Sequence, residues 1–131
     1  MKAKIQFGNI DEEIGNCGEN TGAIIIFRGI VRKKESGKDI AYLHYEAEID
    51  LAEVELKKIL EEAKNNFKII DASAIHRIGD IRPGEESLFV SVLSEHREEG
   101  FRCCMFIVDS IKNRLPIWKQ DVYEDGTKKW H

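Results

Sequence analysis

The chain has 131 residues, of which 34% are charged, and a net charge of −4. That length suits one domain around a single apolar core, and the acidic balance excludes a polyanion-binding surface spread over the whole molecule. The charge is unevenly placed: Arg28, Arg32, Lys33, Lys34 and Lys38 stand against Glu35 alone, while acids predominate from Glu46 to Glu62, a pattern that favours a small anionic ligand over nucleic acid.

Lys2–Phe7 reads as a short strand, followed by a polar loop through Asn20. Gly22–Arg32 is a strongly apolar strand, whose alternation places Arg28 and Arg32 on one side unless Gly29 marks a bulge. Glu35-Ser36-Gly37-Lys38 turns the chain into a second strand, Ile40–Ala47. Asp50, with Glu53 three residues on, has the form of a helix cap. Behind it Ala52, Leu56, Ile59, Leu60, Ala63 and Phe67 recur at helical spacing. Ile69–Ile78 and Ser87–Leu93 are strands joined through Arg82-Pro83-Gly84-Glu85, where Pro-Gly suits a type II turn. Ser94 is placed to cap a second helix, whose start bears Glu95, Glu98 and Glu99. Phe101, Cys104, Met105, Val108 and Ile111 then form one apolar stripe, with Cys103 facing away, until Pro116 stops the helix. Ile117–Tyr123 and Lys128–Trp130 close as a hairpin around Glu124-Asp125-Gly126-Thr127. This order predicts an α+β fold with a mostly antiparallel sheet and packed helices.

Lys112 lies four residues past Val108 and so projects from the stripe. An ammonium there must reach water, meet an anion or lose its proton. The ordinary outcome is a head group snorkelling to solvent at the helix end, where the dipole favours it. Arg32, Arg97 and Lys119 also stand at element ends, where sites are commonly built, although each taken singly reads as a solvated charge. Arg97 sits in a first helical turn, where a cation is disfavoured, so something other than helix stability selects it. His96 either bonds a ligand oxygen or caps the backbone, and His76, in a strand running into a turn, reads as structural. The cysteines (Cys17, Cys103, Cys104) and histidines show no C-x-x-C or H-x-x-x-H spacing, so no metal site is expected. An odd number of thiols, no membrane-length apolar run and no signal-peptide layout give the expectation of a cytoplasmic protein.

Five segments now follow one another in a telling order: Gly22–Arg32, Leu43–Ala47, Ile75–Gly79 with Pro83-Gly84, Ser94–Arg97, and Ile111–Lys119 with its Lys-x-x-x-Pro-x-Trp-Lys. From about Gly22 to Trp130 the succession resembles the large, catalytic subunit of molybdopterin synthase. The resemblance implies an α/β-hammerhead fold, with residues 1–131 as a single large-subunit-like domain. It implies a homodimer, and a heterotetramer with a small ubiquitin-like sulfur carrier whose Gly-Gly tail ends in a thiocarboxylate. The implied activity is sulfur transfer to cyclic pyranopterin monophosphate (precursor Z), twice, to give molybdopterin, with no resident cofactor, no nucleic acid and no membrane. By matching positions, Lys112 and Lys119 correspond to the catalytic lysines, and Arg32, His96 and Arg97 to pocket residues for phosphate and pterin. Lys129 falls near a basic position that in the family reaches a neighbouring subunit. The chain departs from the family pattern at Arg28 (often small and polar), Ile30 (often lysine), Val108 and Gln120. The alternative reading is a non-catalytic dimeric module that binds a ubiquitin-like tail or a phosphorylated metabolite. Open from sequence are whether the finished cofactor holds molybdenum or tungsten, which protein is the carrier, whether Arg28 enters the pocket, and how the two transfers are ordered.

Overall fold

The computed structural model describes residues 1–14 and 17–131; Gly15 and Asn16, part of the predicted polar loop, lie outside the described residues. In chain order the elements are β1 (Lys2–Phe7), β2 (Ala23–Ile30), β3 (Lys34–Glu35), β4 (Lys38–Ala47), α1 (Ile49–Asn66), β5 (Asp71–Ile81), β6 (Glu86–Ser94), α2 (Arg97–Arg114), β7 (Ile117–Tyr123) and β8 (Lys128–Trp130).

β5 organises the sheet. Its first half runs antiparallel to β6 and, on its other edge, parallel to β1; its last residues, Gly79 to Ile81, pair with β4 instead. β4 continues to β7 and β7 to β8, so the spatial order is β2-β6-β5-β4-β7-β8, and among the described residues the one parallel pair is β1 with β5. A strand that changes partners midway splits the sheet into two leaves and leaves a gap between β6 and β4. β2 forms one edge and alternates strictly between half-buried and exposed residues, as a strand with one face on the core must. The register shift falls between Gly29 and Ile30, where the sequence allowed for a bulge. Beyond it Val31 is pinned to the β5–β6 turn, its N–H on the Glu85 carbonyl (3.0 Å) and its own carbonyl accepting from Gly84 N–H (2.8 Å). The Pro83-Gly84 turn forms as predicted, closed by Glu85 N–H to the Arg82 carbonyl at 3.0 Å.

Both helices lie on one side of the sheet, α1 against β1 and β5 and α2 against β2 and β6, and they touch each other. α1 buries Ala52, Leu56, Ile59, Leu60 and Ala63, the face its periodicity predicts. Its cap differs from the prediction. The helix begins at Ile49 with Glu48 in the cap position and no side-chain cap, so Asp50 falls within the first turn. Glu53 is recruited elsewhere: its carboxylate accepts the Ile5 N–H of β1 at 3.0 Å. Ser94 likewise does not cap α2. It ends β6, and its hydroxyl donates to the His96 carbonyl at 2.7 Å.

The buried face of α2 also differs. Gly100, Cys103, Cys104, Ile107, Val108 and Ile111 face the sheet, while Phe101 and Met105 are 60% and 63% exposed. Cys103, predicted to face away, is fully buried. The reason is closeness of approach: a Cβ on Gly100 would stand 2.9 Å from Ile25 Cγ1, so small residues occupy the contact and the larger Phe101 and Met105 are turned outward. A second, smaller apolar cluster (Val31, Ile40, Leu43, Ile81, Tyr123) closes the far leaf of the sheet.

Candidate functional site

The gap between the two leaves is a cavity of about 620 Å³. Each wall is placed by a local feature of the sequence. Despite the register shift, Arg28 and Arg32 both line the cavity, with Val31 between them pinned to the β5–β6 turn. α2 ends at Leu115, held in extended backbone before Pro116, so its last turn presents Lys112 to the rim. The chain reverses there into β7, and strand alternation turns Ile117, Lys119 and Asp121 toward the cavity. Lys119 stands directly across the ladder from Tyr45 of β4. His76 of β5 lines the cavity between the leaves.

The structure thus brings Lys112, Lys119 and Arg32 together, and adds Arg28. Lys112 is exposed and Lys119 half-buried. Of the stripe on which Lys112 was placed, Cys104, Val108 and Ile111 face the sheet while Phe101 and Met105 are turned outward, and Lys112 is exposed like the latter pair. Arg32 holds Glu35 through Nη2 at 2.9 and 3.2 Å. Arg28 donates to Glu86 at 2.6 Å and lies 5.0 Å above the Phe89 ring. With Glu35 engaged and Asp121 fully buried, the reachable polar wall is dominated by cationic donors, which suits an anionic guest.

His96, Arg97 and Lys129 are not in this cavity. His96 and Arg97 line a separate hollow with Gly22, Phe101 and Arg102 at the start of α2. The length of the helix puts that start about 22 Å from Lys112 at 1.5 Å per residue. His96 occupies the cap position of α2 but makes no side-chain cap bond. Lys129 is exposed on β8, paired in register with Asp121.

Two lining residues, Tyr45 and Asp121, escaped the sequence reading, and a third, His76, was read there as structural. Tyr45 is half-buried, and desolvation pushes its pKa up. Its ring meets His76 edge-on at 5.2 Å. His76 donates from Nδ1 to the Arg77 carbonyl at 2.8 Å, and burial pushes its pKa down to about 4, so the ring is neutral. Asp121 is sealed, with Oδ2 accepting from His131 Nε2 (2.7 Å) and from the Tyr123 hydroxyl (3.4 Å), while Oδ1 has no partner. Only alternation with Lys119 could have signalled Asp121; a lone histidine in an apolar strand gives no such signal.

Burial pushes the Cys103 and Cys104 thiols up to about 12 and 11, so neither is a thiolate nucleophile. Among the described residues no group of three or more His, Cys, Asp or Glu side chains could hold a metal ion. Among them, too, no helix is long and apolar enough to cross a membrane.

A family model described as MoaE protein matches residues 1–114, a span that includes Arg32, His96, Arg97 and Lys112 but stops short of Lys119. The molybdopterin synthase catalytic subunit of Thermoplasma volcanium is 42% identical over 112 residues, covering 86% of this chain and 82% of its own. That of Pyrococcus abyssi is 41% identical over 119 residues, covering 90% and 80%. A crystal structure of molybdopterin synthase from Staphylococcus aureus superposes with a TM-score of 0.91 at 33% identity, over 100% of this chain and 98% of that one. That superposition takes in the segment beyond residue 114, which carries Pro116 and Lys119. The chain therefore belongs to the MoaE family, whose members are catalytic subunits of molybdopterin synthase.

Proposed function

We propose that this 131-residue domain is the sulfur-transferring subunit of a molybdopterin synthase acting in the cytoplasm on precursor Z, with a thiocarboxylated ubiquitin-like carrier as sulfur donor. The observation that carries the reading is the meeting of Lys112 and Lys119 on one cavity with Arg28 and Arg32. A thiocarboxylate, a cyclic phosphate and the oxygen released when that phosphate opens are all anionic. Fixed cations in a partly dry cleft stabilise each of them, and most of all the charge that develops in the transition state. In each transfer a carbon–sulfur bond forms on the pterin side chain as a carbon–oxygen bond at that carbon breaks, the oxygen leaving with the phosphate as its ring opens in one transfer and as water in the other. The carrier's acyl–sulfur bond is then broken by water, which leaves a carboxylate on the carrier tail. Lys112, at the open rim, stands where an entering tail would present its sulfur. Lys119, half-buried and opposite Tyr45, backs the developing oxyanion, and the arginines hold phosphate by forked hydrogen bonds.

His96, Arg97 and Lys129 enter this reading through a second copy. The length of α2 keeps His96 and Arg97 out of their own protomer's cavity, so a role at the substrate requires a homodimer in which they face a neighbour's Lys112. With one carrier per protomer the assembly is a heterotetramer.

The test is incubation with precursor Z and thiocarboxylated carrier, with product read by chromatography and mass spectrometry. Wild type forms the dithiolene. Lys112→Ala abolishes it while the protein keeps its Tm and oligomeric state. Full activity in Lys112→Ala would defeat the catalytic assignment. For the second copy, a mixture of Lys112→Ala and Arg97→Ala chains recovers activity that neither has alone.

A further inference from the structure

We propose that His76 is a specificity-determining residue of the cavity, its Nε2 accepting a hydrogen bond from a ring N–H or amino group of the pterin; this rests on the pterin reading above. A carbonyl oxygen can only accept, so the 2.8 Å contact to the Arg77 carbonyl fixes the proton on Nδ1 and leaves the lone pair on Nε2. Nε2 has no protein partner among the described residues. It is also absent from the sealed, unpaired atoms, which are Glu62 Oε2, Arg77 Nε, Glu86 Oε2 and Asp121 Oδ1. His76 is 7% exposed and lines the cavity, and an Nε2 that is neither partnered nor among the sealed atoms keeps part of that exposure.

The surroundings make this acceptor distinctive. Arg28, Arg32, Lys112 and Lys119 can only donate, Glu35 is held by Arg32, and the Ser87 hydroxyl is directed to the Gly29 carbonyl. Asp121 has a free oxygen, but the residue is fully buried and that atom is out of reach. A guest that satisfies this wall is anionic at one end and offers an N–H at the other. A pterin phosphate has that pattern, with its phosphate for the cations and the amino and lactam N–H groups of its ring for the imidazole. Burial keeps the imidazole neutral near pH 7 and makes it a weak base, so it orients the ring and does not remove a proton. The edge of Tyr45, 5.2 Å away, and the Arg77 bond fix the plane in which Nε2 can be approached.

The experiment measures binding of 6-hydroxymethylpterin by fluorescence and of inorganic phosphate by calorimetry, using the full chain at pH 7. His76→Asn keeps a donor for the Arg77 carbonyl and removes the distal acceptor; His76→Gln places an amide oxygen near the Nε2 position. His76→Asn is expected to weaken pterin binding by roughly 10- to 100-fold, the loss of one buried hydrogen bond. Phosphate affinity stays within about twofold, and His76→Gln restores most of the pterin affinity. A purely packing role reverses the order, because His76→Asn preserves the structural bond. That reversal, or pterin affinity unchanged in His76→Asn, overturns the inference and leaves the site reading standing. A measurement on wild type needs no variant: the ¹⁵N resonance of His76 Nε2 moves upfield when the pterin binds, and a resonance that stays put rejects the contact. If wild type binds phosphate but no pterin, the pterin reading itself falls, and the inference with it.

Discussion

Gly100 offers a direct test of how α2 is seated, because two opposing effects act there. Gly100→Ala raises helix propensity by about 1 kcal/mol. The new Cβ, however, would lie 2.6 Å from Ser94 Oγ and 2.9 Å from Ile25 Cγ1, both closer than real contacts allow. Neither neighbour can yield easily. Ser94 is fully buried and its hydroxyl is committed to the His96 carbonyl at 2.7 Å, while Ile25 belongs to β2 and packs into the main core. Overpacking of this kind costs about 2–3 kcal/mol, so the clash wins and the net loss is roughly 1–2 kcal/mol. For a chain of this size that corresponds to a fall in Tm of roughly 3–8 °C, measurable by circular dichroism or calorimetry. Ser94→Ala in the same chain removes the nearer obstacle, so the double variant should be less destabilised than the sum of the singles, by about 1 kcal/mol. A Gly100→Ala protein as stable as wild type, or more so, would show that α2 does not approach the sheet as described and that its buried face has been misassigned.

His44 and His76 should titrate with opposite signs. His44 is bound by Asp80 (2.6 Å) and Glu46 (3.0 Å), which raise its pKa above the ordinary 6.5. Its stabilising contribution is therefore complete below pH 6.5 and lost as pH rises through the raised value; His44→Gln should flatten the decline of Tm between pH 6 and pH 9. His76 is held at about 4, so the unfolded chain binds the extra proton between pH 4 and 6.5 and stability falls as pH drops through that window. From pH 7 to pH 5 this amounts to roughly 2 kcal/mol, and His76→Gln should lose correspondingly less over the same range in urea denaturation. Of the three cysteines, only Cys17 is partly accessible, so a thiol reagent should titrate one equivalent quickly in the native protein and the remainder after denaturation; rapid native reaction of Cys103 would contradict its burial. Lys119→Ala should lower turnover by about 100-fold or more, in the range of a lost oxyanion donor. Should only substrate affinity change, Lys119 would be an anchor for the ground state instead.

Much of this architecture could be read from residue order. Periodicity located both helices and nearly every strand, Pro83-Gly84 marked its turn, and Pro116 marked the end of α2. The run of motifs from Gly22 to Trp130 indicated the family, and with it the roles proposed for Lys112 and Lys119. These features are local or nearly so: a turn, a stop signal and a repeat of apolar residues each act within a few positions of themselves. What residue order could not decide was which face of α2 meets the sheet, because Phe101 and Met105 fit the apolar repeat as well as the residues actually buried. That choice is made where Gly100 lets the helix approach Ile25, a contact between segments far apart in the chain. The partition of the cations had the same origin. Lys112 and Lys119 meet because the chain reverses at Pro116 into a strand paired with β4, whereas Arg97 shares a helix with Lys112 and is held at its opposite end by the rigidity of that helix. His76 and Asp121 became visible as polar groups with unmet hydrogen-bonding capacity only once neighbouring strands had surrounded them. Burial and pairing are properties of the packed sheet, and no window along the chain contains them.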